Sequence, residues 1–464
     1  MNHSPSNRVR TGRSRRVWPS IAAVCLGLLV GAAQTFVGFV ARAAEPPVAA
    51  NVSPPPSLPR IDEARARAAG IRRLSSQRLT LYTDLPKDPS IDELPAVFDQ
   101  AFGQWCDYFG LDPKQYPEWR MTGCLIKEKL RFEAAGLMPA TLPDFTGRGY
   151  TQQYQCWVYN QTSPYYRRHL LLHEGTHGFM STLLGGFGPP WYAEGMAELL
   201  AVHRWENGRL KMNVYPASGA ETLKWERIEI VQNDFAARRA LRLSDVLAYD
   251  FRAHRKLEPY GWSWAAAAFL ENHPRYHDRF HRLWQFVKDP DFNRRFVETY
   301  GDEGGQLAEE FQVFVADIAY GYDFQRTQLD FTPGHRLRTS GESVSVAADR
   351  CWQNSGLRLE AGKSYRLDAK GRYEVAKTPR VWWCEPGGVS IRFLHSRPLG
   401  VLLAAVRPDG KDSATTSPLI SPTVVGTGTT IRPSVSGTLF LRINNSAGEL
   451  NNAAGSLTVR VGPD

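Results

Sequence analysis

The chain has 464 residues, 42% hydrophobic and 11% aromatic, enough apolar material for more than one buried core. Its formal charge of +9 is unevenly placed, because Arg8, Arg10, Arg13, Arg15, Arg16 and Arg42 all precede the first acidic residue, Glu45. The remainder is close to balanced, which removes the charge argument for a nucleic-acid partner.

Residues 1–44 have the three parts of an export signal: an Arg-rich start, an apolar run from Ile21 to Val40, and small residues at Ala41, Ala43 and Ala44. Cleavage near Ala43 or Ala44 and a periplasmic, cell-surface or secreted location are expected. Retention as an N-terminal membrane anchor is the alternative, since the run barely reaches the roughly 20 residues that span a bilayer. Residues 45–60 are Pro-rich and aperiodic, a linker.

From 61 to 332 the pattern is α+β and becomes mostly helical in its second half. Leu79–Tyr82 reads as a strand, and Ser90 with Glu93 reads as a capping box for a helix to about Tyr108. Tyr154–Tyr159 reads as a strand, and Ser163-Pro164 starts the next helix. Helical periodicity then runs from Trp191 to Tyr320, with breaks near Pro189-Pro190, Pro259 and Pro274. After Pro333, short alternating or β-branched segments at Ser364–Ala369, Val389–Phe393, Val401–Val406, Thr438–Ile443 and Ser456–Val461 imply an all-β sandwich over 333–464. Cys351 and Cys384 share this block and form a plausible disulfide in an exported protein.

The chemistry concentrates at His173-Glu174-Gly175-Thr176-His177. Residues i and i+4 share a helix face, so both imidazoles can reach one Zn²⁺ while Glu174 stands beside the metal-activated water. A third donor is needed, and Trp191-Tyr192-Ala193-Glu194-Gly195-Met196-Ala197-Glu198 supplies Glu194 after the Gly185–Pro190 break. Glu198, one turn on, can accept from the far nitrogen of a ligating histidine. His169 reads as a surface residue or a neighbour of the ligands. His203, His254, His273, His277 and His281 lie in polar stretches and read as solvated.

HEGTH followed by WYAEGMAE resembles the gluzincin metallopeptidases of the peptidase MA-like group. The resemblance implies a zincin-like catalytic domain with His173, His177 and Glu194 on zinc, Glu174 as general base, and a peptide or protein substrate. It also implies a catalytic Tyr at the start of a later helix, for which Tyr260 in Pro259-Tyr260-Gly261 is the match. The spacer from His177 to Glu194 is shorter than in the aminopeptidases of that group, and their amine-recognition motif is absent.

The C-terminal block, with Gly437–Asn445 and Gly455–Val459, resembles calcium-dependent galactose-binding bacterial lectins. Asn445 stands where those carry an Asp, Glu449 and Asn452 fall at matching places, and Ala453 replaces a second Asn. One carboxylate is too few for a typical calcium site, so the expectation is a degenerate targeting or packing module, with glycan contact as its alternative use. A non-catalytic glycan-binding surface protein on a zincin-like scaffold is the rival to the hydrolase as a whole.

Overall fold

Short segments with apolar centres, Leu79–Thr83, Met121–Ile126 and Gln155–Tyr159, form the middle of a five-stranded sheet. In the computed structural model, which describes residues 61–145, 147–410 and 416–464, the strands are β1 (Arg72–Ser75), β2 (Leu79–Thr83), β3 (Met121–Ile126), β4 (Gly149–Gln152) and β5 (Gln155–Tyr159). Their order is β1-β2-β3-β5-β4. The central pairs β2–β3 and β3–β5 are parallel, and the outer strands β1 and β4 run antiparallel. All residues of β2 and β3 are buried, as expected for strands covered on both faces. The expected export leader and linker, residues 1–44 and 45–60, fall outside the described residues. No helix among those described is long and apolar enough to cross a membrane.

Two helices pack on this sheet, and a third returns against the second. α1 (Leu94–Phe109) brings Phe98, Phe102 and Trp105 against Trp119 and Phe179. The expected capping box does not form, because Asp88 caps a preceding short helix, Pro89–Asp92. Glu93 is instead drawn to Arg168 at 2.7 Å and to the Trp205 indole at 2.7 Å, so a tertiary ion pair replaces the local cap. α2 (Pro164–Phe179) begins as expected, with the Ser163 hydroxyl accepting from the Tyr166 amide. It runs on through a π turn, Met180–Leu184, and stops at left-handed Gly185. α3 (Pro190–Ala201) then returns against it.

The helical stretch expected from Trp191 to Tyr320 is interrupted. β6 (His203–Glu206) and β7 (Arg209–Met212) form a hairpin through Asn207 and Gly208, both at positive φ. α4 (Arg227–Ala236), α5 (Glu258–Asn272) and α6 (Gly304–Asp317) follow. Pro259 lies in the first turn of α5, where its missing N–H costs nothing, and so does not break it. α5 packs closely on α3 because Gly195 carries no side chain: a Cβ there would sit 2.8 Å from the Ser263 carbonyl oxygen.

The protein is thus mixed α and β, with sandwich-like sheets in its C-terminal half. One sheet orders Thr423–Val424, Leu402–Pro408, Gly437–Ile443, Gln353–Leu359 and His335–Arg336. The other orders Gly428–Ile431, Tyr365–Lys370, Ser456–Pro463 and Glu342–Ala347. Of Val389–Phe393 only Phe393 enters a strand, the short Phe393–Leu394. The expected disulfide is absent, since Cys351 and Cys384 are both free and buried. They belong to different packed clusters, Cys351 beside Trp352 and Val401, Cys384 beside Tyr373 and Val375. Burial pushes the Cys351 thiol up to about 12. Val313 and Leu329 join the Cys351 cluster, and Asp317 at the end of α6 meets Arg442 of the sandwich at 2.5 Å.

Candidate metal centre

One turn of α2 carries the first two side chains. His173 and His177 point the same way, and their Nε2 atoms lie 3.2 Å apart. From α3, Glu194 Oε2 comes to 3.2 Å from His173 Nε2 and 3.5 Å from His177 Nε2. That oxygen is buried and makes no hydrogen bond. Three donors facing one another, with a buried carboxylate oxygen lacking a hydrogen bond among them, are costly unless a common partner satisfies them.

A metal ion fits that requirement. Ligands at about 2.0–2.1 Å in a tetrahedral shell are separated by roughly 3.3–3.4 Å, and the three observed separations straddle that value. His173 is buried, while His177 and Glu194 are only partly so, leaving the centre reachable from one side. The charges agree with the geometry. Burial pushes the His173 imidazole down, but Glu194 and Glu198 outweigh it and raise it to about 9. Burial likewise pushes Glu194 up, and the two histidines overcome this and hold it well below the carboxylate range.

Glu174 leaves the ligand triangle, as its place between the histidines requires. Its Oε2 accepts from the Thr151 hydroxyl on the edge strand β4 at 2.6 Å. The strand approaches so closely that a Cβ on Gly149 would collide with the Glu174 carboxylate. Burial raises the pKa of this acid, against the opposing pull of His173, His177 and Thr151. Tyr260, at the start of α5, is brought to the same place, its ring centroid 6.1 Å from that of His173. Burial, reinforced by Glu194 and Glu174, pushes its hydroxyl well above the usual range, so it stays protonated at neutral pH. His254 packs edge-on against Tyr260 at 5.1 Å and is itself tied to Ser263.

Glu198 lies directly behind His173, Oε1 being 3.5 Å from Nδ1. It is the centre of a buried network that the sequence does not announce. Arg227, at the start of α4, reaches its two oxygens at 2.9 and 3.2 Å, and Trp225 donates at 3.0 Å. His169 is not at the surface: it is fully buried between Glu198 and the Ala201 carbonyl, each at 3.1 Å. Its donors, with those of His173 and Glu198, form a second group of possible ligands within 4.8 Å of one another, sharing His173 with the first. The Arg227 guanidinium on Glu198 places a positive charge in that inner group and disfavours a cation there.

The solvated reading fails for three other histidines. His203 is buried between the Ala201 carbonyl and Arg168, and burial lowers it to about 3. His254 and His273 are buried as well. Arg227, Trp225 and Thr151 were not legible as site residues. A buried Glu198 demands a cation, but no spacing rule selects which of the chain's arginines supplies it.

No protein-family model matches the chain, and no curated protein matches it. Among solved structures it is similar to one described as an EclA N-terminal domain, a PllA-like lectin, at 24% identity, covering 26% of this chain and 95% of that chain with a TM-score of 0.20.

Proposed function

We propose that this chain is an exported zinc-dependent metallohydrolase, a gluzincin-like peptidase that cleaves peptide bonds, with His173, His177 and Glu194 as the zinc ligands. The observation that carries the proposal is the near-tetrahedral spacing of three facing donors, one of them a buried carboxylate oxygen without a hydrogen bond. Two imidazoles and one carboxylate suit zinc, and three protein ligands leave a position open for chemistry.

Zinc bound there would supply Lewis acidity, polarising the scissile carbonyl and acidifying water to a pKa of about 7. Glu174 takes the proton of the attacking water and returns it to the leaving nitrogen. A base that must give its proton back benefits from a raised pKa, and burial provides that direction. Thr151 fixes one Glu174 oxygen, so the carboxylate is oriented before substrate arrives. Tyr260, still protonated, donates to the developing oxyanion, a role typically worth about 3–4 kcal/mol. Glu198 Oε1, 3.5 Å from His173 Nδ1, favours the tautomer with the proton on that nitrogen, which leaves Nε2 free to ligate.

In this proposal residues 1–44 are the export signal, 45–60 a linker, 61–332 the zincin-like catalytic region and 333–464 a galactose-binding-like sandwich used for targeting or packing. The sandwich residues at the lectin-like positions are already engaged: Asn445 donates to the Val375 carbonyl and accepts from Ser446, and Asn452 accepts from Lys377 and Thr378.

The test is digestion of an unbiased peptide mixture with and without chelator. Glu174→Gln should retain zinc and lose hydrolysis by about 10²–10⁴-fold, whereas His177→Ala should lose zinc. Undiminished cleavage by zinc-free protein would refute the proposal.

A further inference from the structure

We infer that the chain carries a second metal site, for a divalent transition ion, built by Glu271, His277 and His281. One donor atom from each lies within 4.8 Å of the others. Glu271 ends α5 and Tyr260 begins it, eleven residues apart, which is about 16 Å along the helix. The second site is therefore separate from the first and does not depend on how the first is read.

Each member is prepared for ligation by its surroundings. Glu271 is 6% exposed and oriented by the Tyr108 hydroxyl at 2.9 Å and the Asn213 amide at 2.9 Å, one on each oxygen. Each oxygen keeps a lone pair for a further partner. The His277 Nδ1 lies 2.5 Å from the Glu271 backbone carbonyl. That carbonyl can only accept, so Nδ1, also 3.9 Å from Glu271 Oε2, carries the proton, and His277 joins an ion through the lone pair of Nε2 once its ring turns. His281 Nδ1 is buried without a hydrogen-bond partner, although its ring is partly exposed. It stands 3.9 Å from Glu271 Oε1. A tetrahedral ion with bonds of about 2.0–2.2 Å holds its donors roughly 3.3–3.6 Å apart, so this pair must close by only a few tenths of an ångström to share one.

The donor set selects the ion. Two imidazoles and a carboxylate suit Zn²⁺, Co²⁺, Ni²⁺ or Cu²⁺ and not the oxygen-seeking Ca²⁺ or Mg²⁺. Access is open, because the side chains of His277 and His281 both reach solvent. Occupancy ties the end of α5 to the following turn and, through Tyr108 and Asn213, to α1 and the segment after β7. It acts as a clamp, remote from the reacting atoms.

Chelator-stripped full chain is equilibrated with Co²⁺ or Zn²⁺, and bound metal per chain is measured by atomic emission. Wild type is expected to hold two ions, His277→Gln/His281→Gln one, and His173→Ala/His177→Ala one. Retention of the other ion by each double variant shows that it is folded. The inference is overturned if His277→Gln/His281→Gln holds as many ions as wild type. A wild type holding a single ion that disappears in that variant would support this site and refute the first.

Discussion

Removing the positive charge behind the ligands should unsettle the fold more than any surface change. Glu198 is 1% exposed and receives two of its hydrogen bonds from Arg227. Burial pushes its carboxyl up, yet Arg227 and His169 hold it well below the usual range, so it is ionised in the folded chain. Arg227→Met leaves that charge with only the donors of Trp225, His169 and the more distant His173. Stripping one partner from a buried pair costs about 3–5 kcal/mol. Arg227→Met/Glu198→Gln should recover most of the loss, because the amide oxygen still accepts from Trp225 and His169 while no charge is stranded. The assay is urea unfolding of the metal-free chain for wild type, single and double variants. A single variant within about 1 kcal/mol of wild type, or a double variant no more stable than the single, would refute the electrostatic account.

Three further outcomes follow from the geometry. Tyr260→Phe should bind zinc as wild type does but lower kcat by about 10²–10³-fold, measured with a defined peptide; an unchanged kcat would remove Tyr260 from the mechanism. Gly149→Ala should displace the Glu174 carboxylate that lies against it, leaving zinc content intact and lowering kcat by about 10²-fold; equal turnover would mean the carboxylate has room to move. Asp317 is pushed up by burial but pulled by Arg442 and His395 from its ordinary 3.8 to about 2. Its stabilisation is present above pH 3.8 and is lost as pH falls through about 2, a total of about 2 kcal/mol. Acid titration of unfolding should therefore show a shallower limb between those values for Asp317→Asn than for wild type.

The grouping of His173, His177 and Glu194 as possible ligands was legible because its decisive rule is local: two histidines four apart on a helix must share a face, and the Gly185–Pro190 break lets Glu194 return to them. Tyr260 emerged from a resemblance, since nothing in its own neighbourhood marks it. Arg227 stayed hidden because its partner is twenty-nine residues away. The hairpin at Asn207-Gly208 was a different failure. That dipeptide is a strong turn signal, and a helical reading of the whole 191–320 stretch passed over it. The capping box failed through tertiary competition, with Arg168 and Trp205 outbidding a local amide for Glu93. The cysteine pairing failed because closeness in sequence did not place both thiols in one cluster.

The seam between α6 and the sandwich has a practical consequence. Apolar side chains from both sides of residue 333 fill one cluster, and the Asp317–Arg442 pair lies against its Cys351 and Trp352. A protease cutting at Thr332-Pro333 would sever the backbone yet free neither fragment, since each holds half of a buried, water-excluding joint. Preparing either portion alone would bare a greasy face and strand a charge, Asp317 in one and Arg442 in the other, so work on one half of this molecule begins with the whole.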